Sequence, residues 1–331
     1  MILRHSIYAM ILCFFASVHQ EAASYNSLKL DKTSGSIIGA ITVAAAAKTA
    51  HSWYHTYKQQ QAIWKHPYVQ ELLQPDAPKK TAIFDMGGVL VTLHKTRLGL
   101  AQTGSLRLAR YFVTHLRTPQ YIKQAVLGLY SSQNSNQGTT PEEQALKELI
   151  YNYAGVKVEN GTPLPDLITA FQAGLKTAEE CVAFITQKSD ALYKENIYKS
   201  LEEKEIILSL AKAPFNAHSF AHHTSLVPMG AALLKACKEA GHTIMICSNW
   251  DKHSFELVKQ KYWNEIFQYI EPQHIIVSGA VNKLKPSKDM YTHVIACAQQ
   301  APSECVFFDD LAENRKAAET CGIRTVPFII S

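Results

Sequence analysis

Four polar clusters in this 331-residue chain carry side chains that could do chemistry: Asp85, Ser248 with Asn249, Lys285 ahead of Pro286, and the adjacent pair Asp309 and Asp310. Together they offer one carboxylate as a nucleophile, two more for a divalent cation, a hydroxyl and an ammonium. That set suits phosphoryl transfer: carboxylates hold Mg2+, lysine and serine neutralise and orient the phosphate, and Asp85 attacks phosphorus. A helix cap at Asp309 and Asp310, or a plain turn at Lys285, would leave neighbouring buried acids uncompensated, and a bound cation accounts for them more economically.

Groups this far apart in sequence meet only if the fold gathers them, and each cluster directly follows a short apolar run or its connection. Residues 81–84 form such a run, ending at Asp85 and breaking at Gly87 and Gly88, which predicts a buried strand feeding a tight turn. Further strands are predicted at 243–247, 275–277, 305–308 and 325–330, with helices at 230–240, 287–299 and 312–321. Alternation of this kind predicts an α/β fold: a doubly wound, Rossmann-like parallel sheet covered on both faces, whose strand ends face one edge. Between the first strand and the rest the chain reads as helical. Thr118 and Pro119 open a helix over 121–130, Thr140 to Glu143 and Thr177 to Glu180 read as helix starts, and residues 197–213 carry apolar side chains at helical spacing. The expected organisation is a catalytic core of residues 79–94 and 227–331, interrupted by an all-helical cap at 95–226.

Composition excludes several classes. Apolar types make up 47% and charged types 18%, which rules out a disordered or low-complexity chain. The net charge of +5 is spread without a basic block, so nucleic acid is not an expected partner. Residues 1–24 have the layout of a secretory signal, with Arg4 and His5 ahead of a short apolar run. An uncleaved anchor or a buried helix are the alternatives. Residues 25–78 read as a small-residue apolar segment (IIGAITVAAAA at 37–47) followed by a linker ending in Pro75-Asp76-Ala77-Pro78. Export is therefore the expected localisation, and the N-terminal segments leave membrane association open. The cysteines at 237, 247, 297, 305 and 321 fall in apolar runs and read as small buried side chains, although an exported chain would permit disulfides.

The stretches Thr81-Ala-Ile-Phe-Asp-Met-Gly-Gly-Val-Leu90, Ile244-Met-Ile-Cys-Ser-Asn-Trp250, Lys283-Leu-Lys-Pro286 and Val306-Phe-Phe-Asp-Asp-Leu-Ala-Glu-Asn314 resemble, in order and spacing, the motifs of the haloacid dehalogenase-like hydrolase superfamily. The branch they look most like contains sugar-phosphate phosphatases and the phosphatase-like domain of some epoxide hydrolases. The resemblance implies that Asp85 forms an aspartyl-phosphate, that Ser248 and Asn249 bind the phosphate, and that Lys285 offsets its charge. It also implies Mg2+ held by Asp85, Asp310 and the Gly87 carbonyl, with Asp309 adjacent and sharing the role, and a small phosphorylated substrate.

One position departs from the family. Many phosphatases of this type carry an acid/base Asp two residues after the nucleophile, where this chain has Gly87. General acid-base help is worth ~10² to 10⁴-fold, so its loss slows the reaction without removing the nucleophile. Water, the substrate or a cap side chain could replace it, and His94 is the nearest candidate in sequence. His218, His222 and His223 have spacing that could grip a metal, but they lack a completing ligand nearby and read as a polar hinge surface. Two rival readings follow: a catalytically weak or silent binding protein on a hydrolase core, and a metal-independent dehalogenase.

Overall fold

A computed structural model describes residues 54–104, 107, 111, 166–198 and 200–329. The leader, the segment at 37–47, the helix expected at 121–130 and the one opened by Thr140 lie outside them. The chain divides into one unit of residues 1–59 with 331 and another of residues 60–330, and the second holds the sheet and the site. No helix among the described residues is long and apolar enough to cross a membrane.

Strands β1 (Thr81–Phe84), β4 (Thr243–Ser248), β5 (Ile275–Val277), β6 (Cys305–Asp309) and β7 (Arg324–Pro327) form a parallel sheet in the order β5-β4-β1-β6-β7. Successive side chains of a strand point to opposite faces, and here both faces are apolar. Phe84, Ile246 and Phe308 enter one core, whereas Ile83, Met245 and Phe307 enter the other. Phe84 and Phe308 stack with ring centroids 4.7 Å apart. From β1 the chain winds outward first to one side and then to the other, so the direction reverses around β1. That reversal is where open α/β sheets form their binding crevice.

Two strands went unread in the sequence. β2 (Val91–Leu93) and β3 (Thr224–Leu226) pair antiparallel, Val91 against Leu226 and Leu93 against Thr224. They are where the helical insertion leaves and rejoins the core. Its described helices are α2 (Lys95–Thr103), α3 (Asp166–Gln172), α4 (Ala178–Lys194), α5 (Leu201–Lys212) and α6 (Ala217–His222). The capping box expected at Thr177 and Glu180 starts α4, and the Ser200 side chain caps α5. Leu167, Ile185, Ile206, Leu210 and Phe215 belong to a separate apolar core within the insertion.

The segment ending at residue 78 is not a bare linker. Ile63, Val69 and Leu72 are buried in the main core, the last two on a short helix, Pro67–Leu72. Glu71 reaches Lys80 at 3.0 Å and Arg324 at 2.7 Å, and the Leu72 carbonyl lies 2.6 Å from His242 Nε2. The catalytic fold therefore begins upstream of the expected boundary at 79. The six described cysteines are all free, and Cys181, Cys237, Cys247 and Cys305 are buried.

Candidate active site

The carboxyl ends of β1, β4 and β6 bring together every residue named from the sequence except the histidines. Asp85 follows β1 and is 7% exposed. Its Oδ1 accepts from the Met86 N–H at 2.7 Å and lies 2.9 Å from Lys285 Nζ, and the Ser248 hydroxyl at the end of β4 hydrogen-bonds the same carboxylate. Lys285 Nζ also donates to Asp309 Oδ2 at 2.7 Å. Carboxylate oxygens of Asp85, Asp309 and Asp310 lie within 4.8 Å of one another.

The turn after β1 is shaped by two glycines that must be glycines. Gly88 has φ +74°, and a Cβ there would sit 2.5 Å from Asp310 Oδ2, so the backbone leaves room for that carboxylate. Gly230 lies on α7 (Pro228–Glu239), and a Cβ there would collide with the Val89 carbonyl, so this helix packs directly under the turn. Gly87 differs from both: a Cβ there would meet none of the described residues within 4 Å. A side chain is missing at that position for no steric reason.

The electrostatics are those of an acid cluster short of positive charge. Burial raises the Asp85 pKa above the carboxylate range, with Lys285 opposing the shift and Asp309 adding to it. Burial also pushes Asp310 up to about 7, reinforced by the charges of Asp85 and Asp309. For Lys285 burial works toward discharge, but Asp309 and Asp85 outweigh it and hold the pKa above the usual lysine value. Three close-packed carboxylates thus have one buried ammonium, which pairs directly with Asp85 and Asp309. Oxygen donors, packed close and carrying surplus negative charge, fit a hard divalent cation such as Mg2+.

Two residues take parts that the sequence did not assign. The Asn249 side chain is committed to Lys285: its Oδ1 accepts from the Lys285 N–H and its Nδ2 donates to the Lys285 carbonyl, both at 2.8 Å. Asp309 is 0% exposed, and its oxygens also accept from the Leu311 N–H at 2.8 Å and Asn314 Nδ2 at 3.1 Å. Arg315 Nη1 donates to the carbonyls of Asp309 and Asp310, both at 2.9 Å. Asn314 and Arg315 lie on α11 (Ala312–Thr320), and no spacing rule would have picked them out as supports of the acid pair. Lys95 was also missed. It opens α2, and although burial lowers its pKa, it feels the charge of Asp310.

The histidines gather no site. His94 Nε2 lies 2.6 Å from Ser225 Oγ on β3, and the His94 N–H donates to the His223 carbonyl, which ties this residue to the strand pair. His222 and His223 have ring centroids 5.0 Å apart. Among the described residues, the only cluster of three metal-ligating side chains is Asp85, Asp309 and Asp310.

The model of the haloacid dehalogenase-like hydrolase family matches residues 79–322. Haloacid dehalogenase-like hydrolase domain-containing protein 3 of Xenopus laevis is 25% identical over 126 residues, which is 38% of this chain and 50% of that protein. The chain thus spans about half the length of that curated relative. A HAD family enzyme from Bacteroides thetaiotaomicron, solved with magnesium and inorganic phosphate, is 17% identical with a TM-score of 0.44, covering 76% of this chain and 94% of its own. A predicted phosphoglycolate phosphatase from Haemophilus somnus is 13% identical with a TM-score of 0.40, covering 75% and 84% respectively.

Proposed function

Because the chain belongs to the haloacid dehalogenase-like hydrolases, we propose that it is a Mg2+-dependent phosphatase that cleaves a small phosphate monoester through an aspartyl-phosphate on Asp85. The observation that carries this reading is the charge balance of the site, three close-packed carboxylates against one buried ammonium. A metal-independent dehalogenase could use Asp309 to hold Lys285, but it would leave Asp310 with no cation to bind.

Asp85, Asp310 and the Gly87 carbonyl would hold the ion, which when bound supplies positive charge against the phosphate and its developing charge. Asp309 has its oxygens engaged by Lys285, Asn314 and Leu311, so its part is to hold Lys285. Oδ1 of Asp85 is fixed by Met86 and Lys285, which sets the rotation of the attacking carboxylate. A new phosphorus–oxygen bond forms there as the ester bond breaks, and the departing alkoxide takes a proton from water or from its own substrate, since Gly87 has none to give. Water then cleaves the aspartyl-phosphate. The Ser248 hydroxyl and Lys285 ammonium steady the phosphate oxygens, while Asn249 holds Lys285. Export on a leader spanning residues 1–24 is part of this proposal and is supported by the charged and apolar layout of that segment.

Asp85→Asn is expected to abolish Mg2+-dependent phosphate release across a panel of small phosphate esters. A wild-type chain that releases no phosphate with any divalent metal would overturn the enzyme reading and favour the silent binding protein suggested by Gly87.

A further inference from the structure

β4 ends at Ser248, and the loop that follows it, beginning at Asn249, is gripped from the side by Ser278 and Gly279, which follow β5. The Ser278 hydroxyl accepts from the Trp250 N–H at 2.9 Å and donates to the Gln172 carbonyl at 2.6 Å. Gln172 is the last residue of α3, inside the helical insertion. The Gly279 N–H donates to the Trp250 carbonyl at 3.0 Å, so both backbone groups of Trp250 are held by this pair. The insertion presses close on the other side. Gly174 has φ +71°, and a Cβ there would lie 2.8 Å from the Gly279 carbonyl. A Cβ on Gly279 would in turn lie 2.7 Å from the Lys252 N–H nitrogen and 2.9 Å from the Trp250 carbonyl. Three stretches of backbone meet here, bridged by the Ser278 hydroxyl, and Ser278 is 0% exposed.

We propose that Ser278 is a positioning residue through which the seating of the inserted helices sets the geometry of the lysine side of the site. The links are all short. Gln172 is bonded to Ser278, and Ser278 to Trp250. Asn249, one residue before Trp250, clamps both backbone groups of Lys285, and Lys285 bridges Asp85 and Asp309. A hydroxyl has one proton and can serve both neighbours only while the insertion presents the Gln172 carbonyl. When that carbonyl withdraws, the proton can turn to the Trp250 carbonyl, 3.3 Å away, while the hydroxyl still accepts from the Trp250 N–H, so what the loop loses is its tie to the insertion. Packed backbone of this kind has discrete arrangements, which is what carries a coupling between sites.

The kinetic test rests on the phosphatase reading. In the full chain, Ser278→Ala is expected to lower kcat for phosphate-ester hydrolysis by ~10 to 100-fold, the scale on which small misplacements act, while KM moves less than about threefold. In an Asn249→Ala background the same change should cost less than about twofold, because the link is already cut. A Ser278→Ala protein that is less stable but keeps its kcat per folded molecule would overturn the proposal, as would full additivity with Asn249→Ala. A second measurement needs no turnover. Gly174→Ala displaces the insertion from Gly279 without touching the site, and hydrogen exchange of the full-length protein should then quicken at residues 249–250 and 283–285. Exchange that changes only around residues 172–174, with the amides of 249–250 and 283–285 unmoved, would refute the coupling even in an active enzyme. A wild-type chain that releases no phosphate would sink the proposed function while leaving this exchange measurement to decide the coupling.

Discussion

Replacing Lys285 with Met keeps most of the side-chain volume and removes the ammonium that pairs with Asp85 and Asp309. The structure fixes the scale. Lys285 is 2% exposed, with Nζ 2.9 Å from Asp85 and 2.7 Å from Asp309. Taking one partner from a buried ion pair costs about 3–5 kcal/mol, because the charge left behind stays desolvated. Here two carboxylates lose their counterion, and protonation of one of them limits the damage. The expected loss near neutral pH, in EDTA, is therefore about 3–5 kcal/mol. The sign of the pH dependence follows from Asp85. Burial already lifts its folded pKa above the unfolded value, and Lys285 is the largest influence pulling it back down. Without Lys285 the folded pKa climbs further. A group with a raised folded pKa contributes its stability below the unfolded pKa and loses it as pH rises through the folded value. The deficit of Lys285→Met should accordingly be smallest near pH 5 and widen toward pH 8, by up to about 1.4 kcal/mol per pH unit for one proton. Urea unfolding across that range measures it. Adding Asp309→Asn removes one of the two stranded acids and should recover part of the loss. A penalty below about 1 kcal/mol that is flat with pH, or a double variant no more stable than the single one, would refute this electrostatic account.

Gly87→Asp meets open space at its Cβ and should raise phosphate-ester turnover, toward the ~10² to 10⁴-fold that general acid-base help supplies, while a site repurposed for binding would gain nothing; initial rates with saturating Mg2+ decide. In the metal-free protein Asp310 is held up to about 7, so Mg2+ must displace its proton. Affinity should level off above about pH 7 and weaken by up to about tenfold per pH unit below it, and Asp310→Asn should remove most of the binding; calorimetric titration between pH 5.5 and 8 tests both, and a pH-independent affinity would contradict them. Leu72→Ala should cost about 2–5 kcal/mol in urea unfolding, because that side chain is 0% exposed in the main core, whereas a residue of a true linker would cost less than about 0.5 kcal/mol.

The parts of this fold that were legible in the sequence are those whose burial leaves a pattern. β1, β4 and β6 are buried on both faces and read as uninterrupted apolar runs, each closed by its polar cluster. The helix Pro67–Leu72 left no such pattern, since it buries only Val69 and Leu72 and is flanked by prolines that look like a linker. β2 and β3 have three residues each, too few to show alternation, and their pairing depends on an insertion that brings residue 224 back to residue 93. α8 (Lys252–Lys261), capped by Asp251, was missed because its charged face dominates its composition. Within the site the sequence supplied the residue types but not the division of labour. The Asn249 amide pairs with a backbone 36 positions away, and Asp309 is distinguished from Asp310 only by the lysine that comes to meet it.

That division of labour bears on whether Gly87 marks a retired enzyme. A site kept only as a scaffold gains nothing from three carboxylates within 4.8 Å of one another, because like charges this close cost stability. The supports around the cluster point the same way: Asn249 holds the backbone of Lys285, and Asn314 and Arg315 hold the Asp309 and Asp310 segment, so the arrangement is braced. Among the described residues, no neighbouring side chain fills the space beside Gly87. What the glycine removes is a proton donor, while Asp85, Asp309, Asp310 and Lys285, the side chains on which the proposed reaction relies, remain gathered. The cost of the substitution therefore falls on the rate of proton transfer to the leaving group. Esters whose leaving groups need no proton, such as aryl phosphates with acidic phenols, should lose least by it, and a rate that rises steeply as the leaving-group pKa falls is the signature to look for.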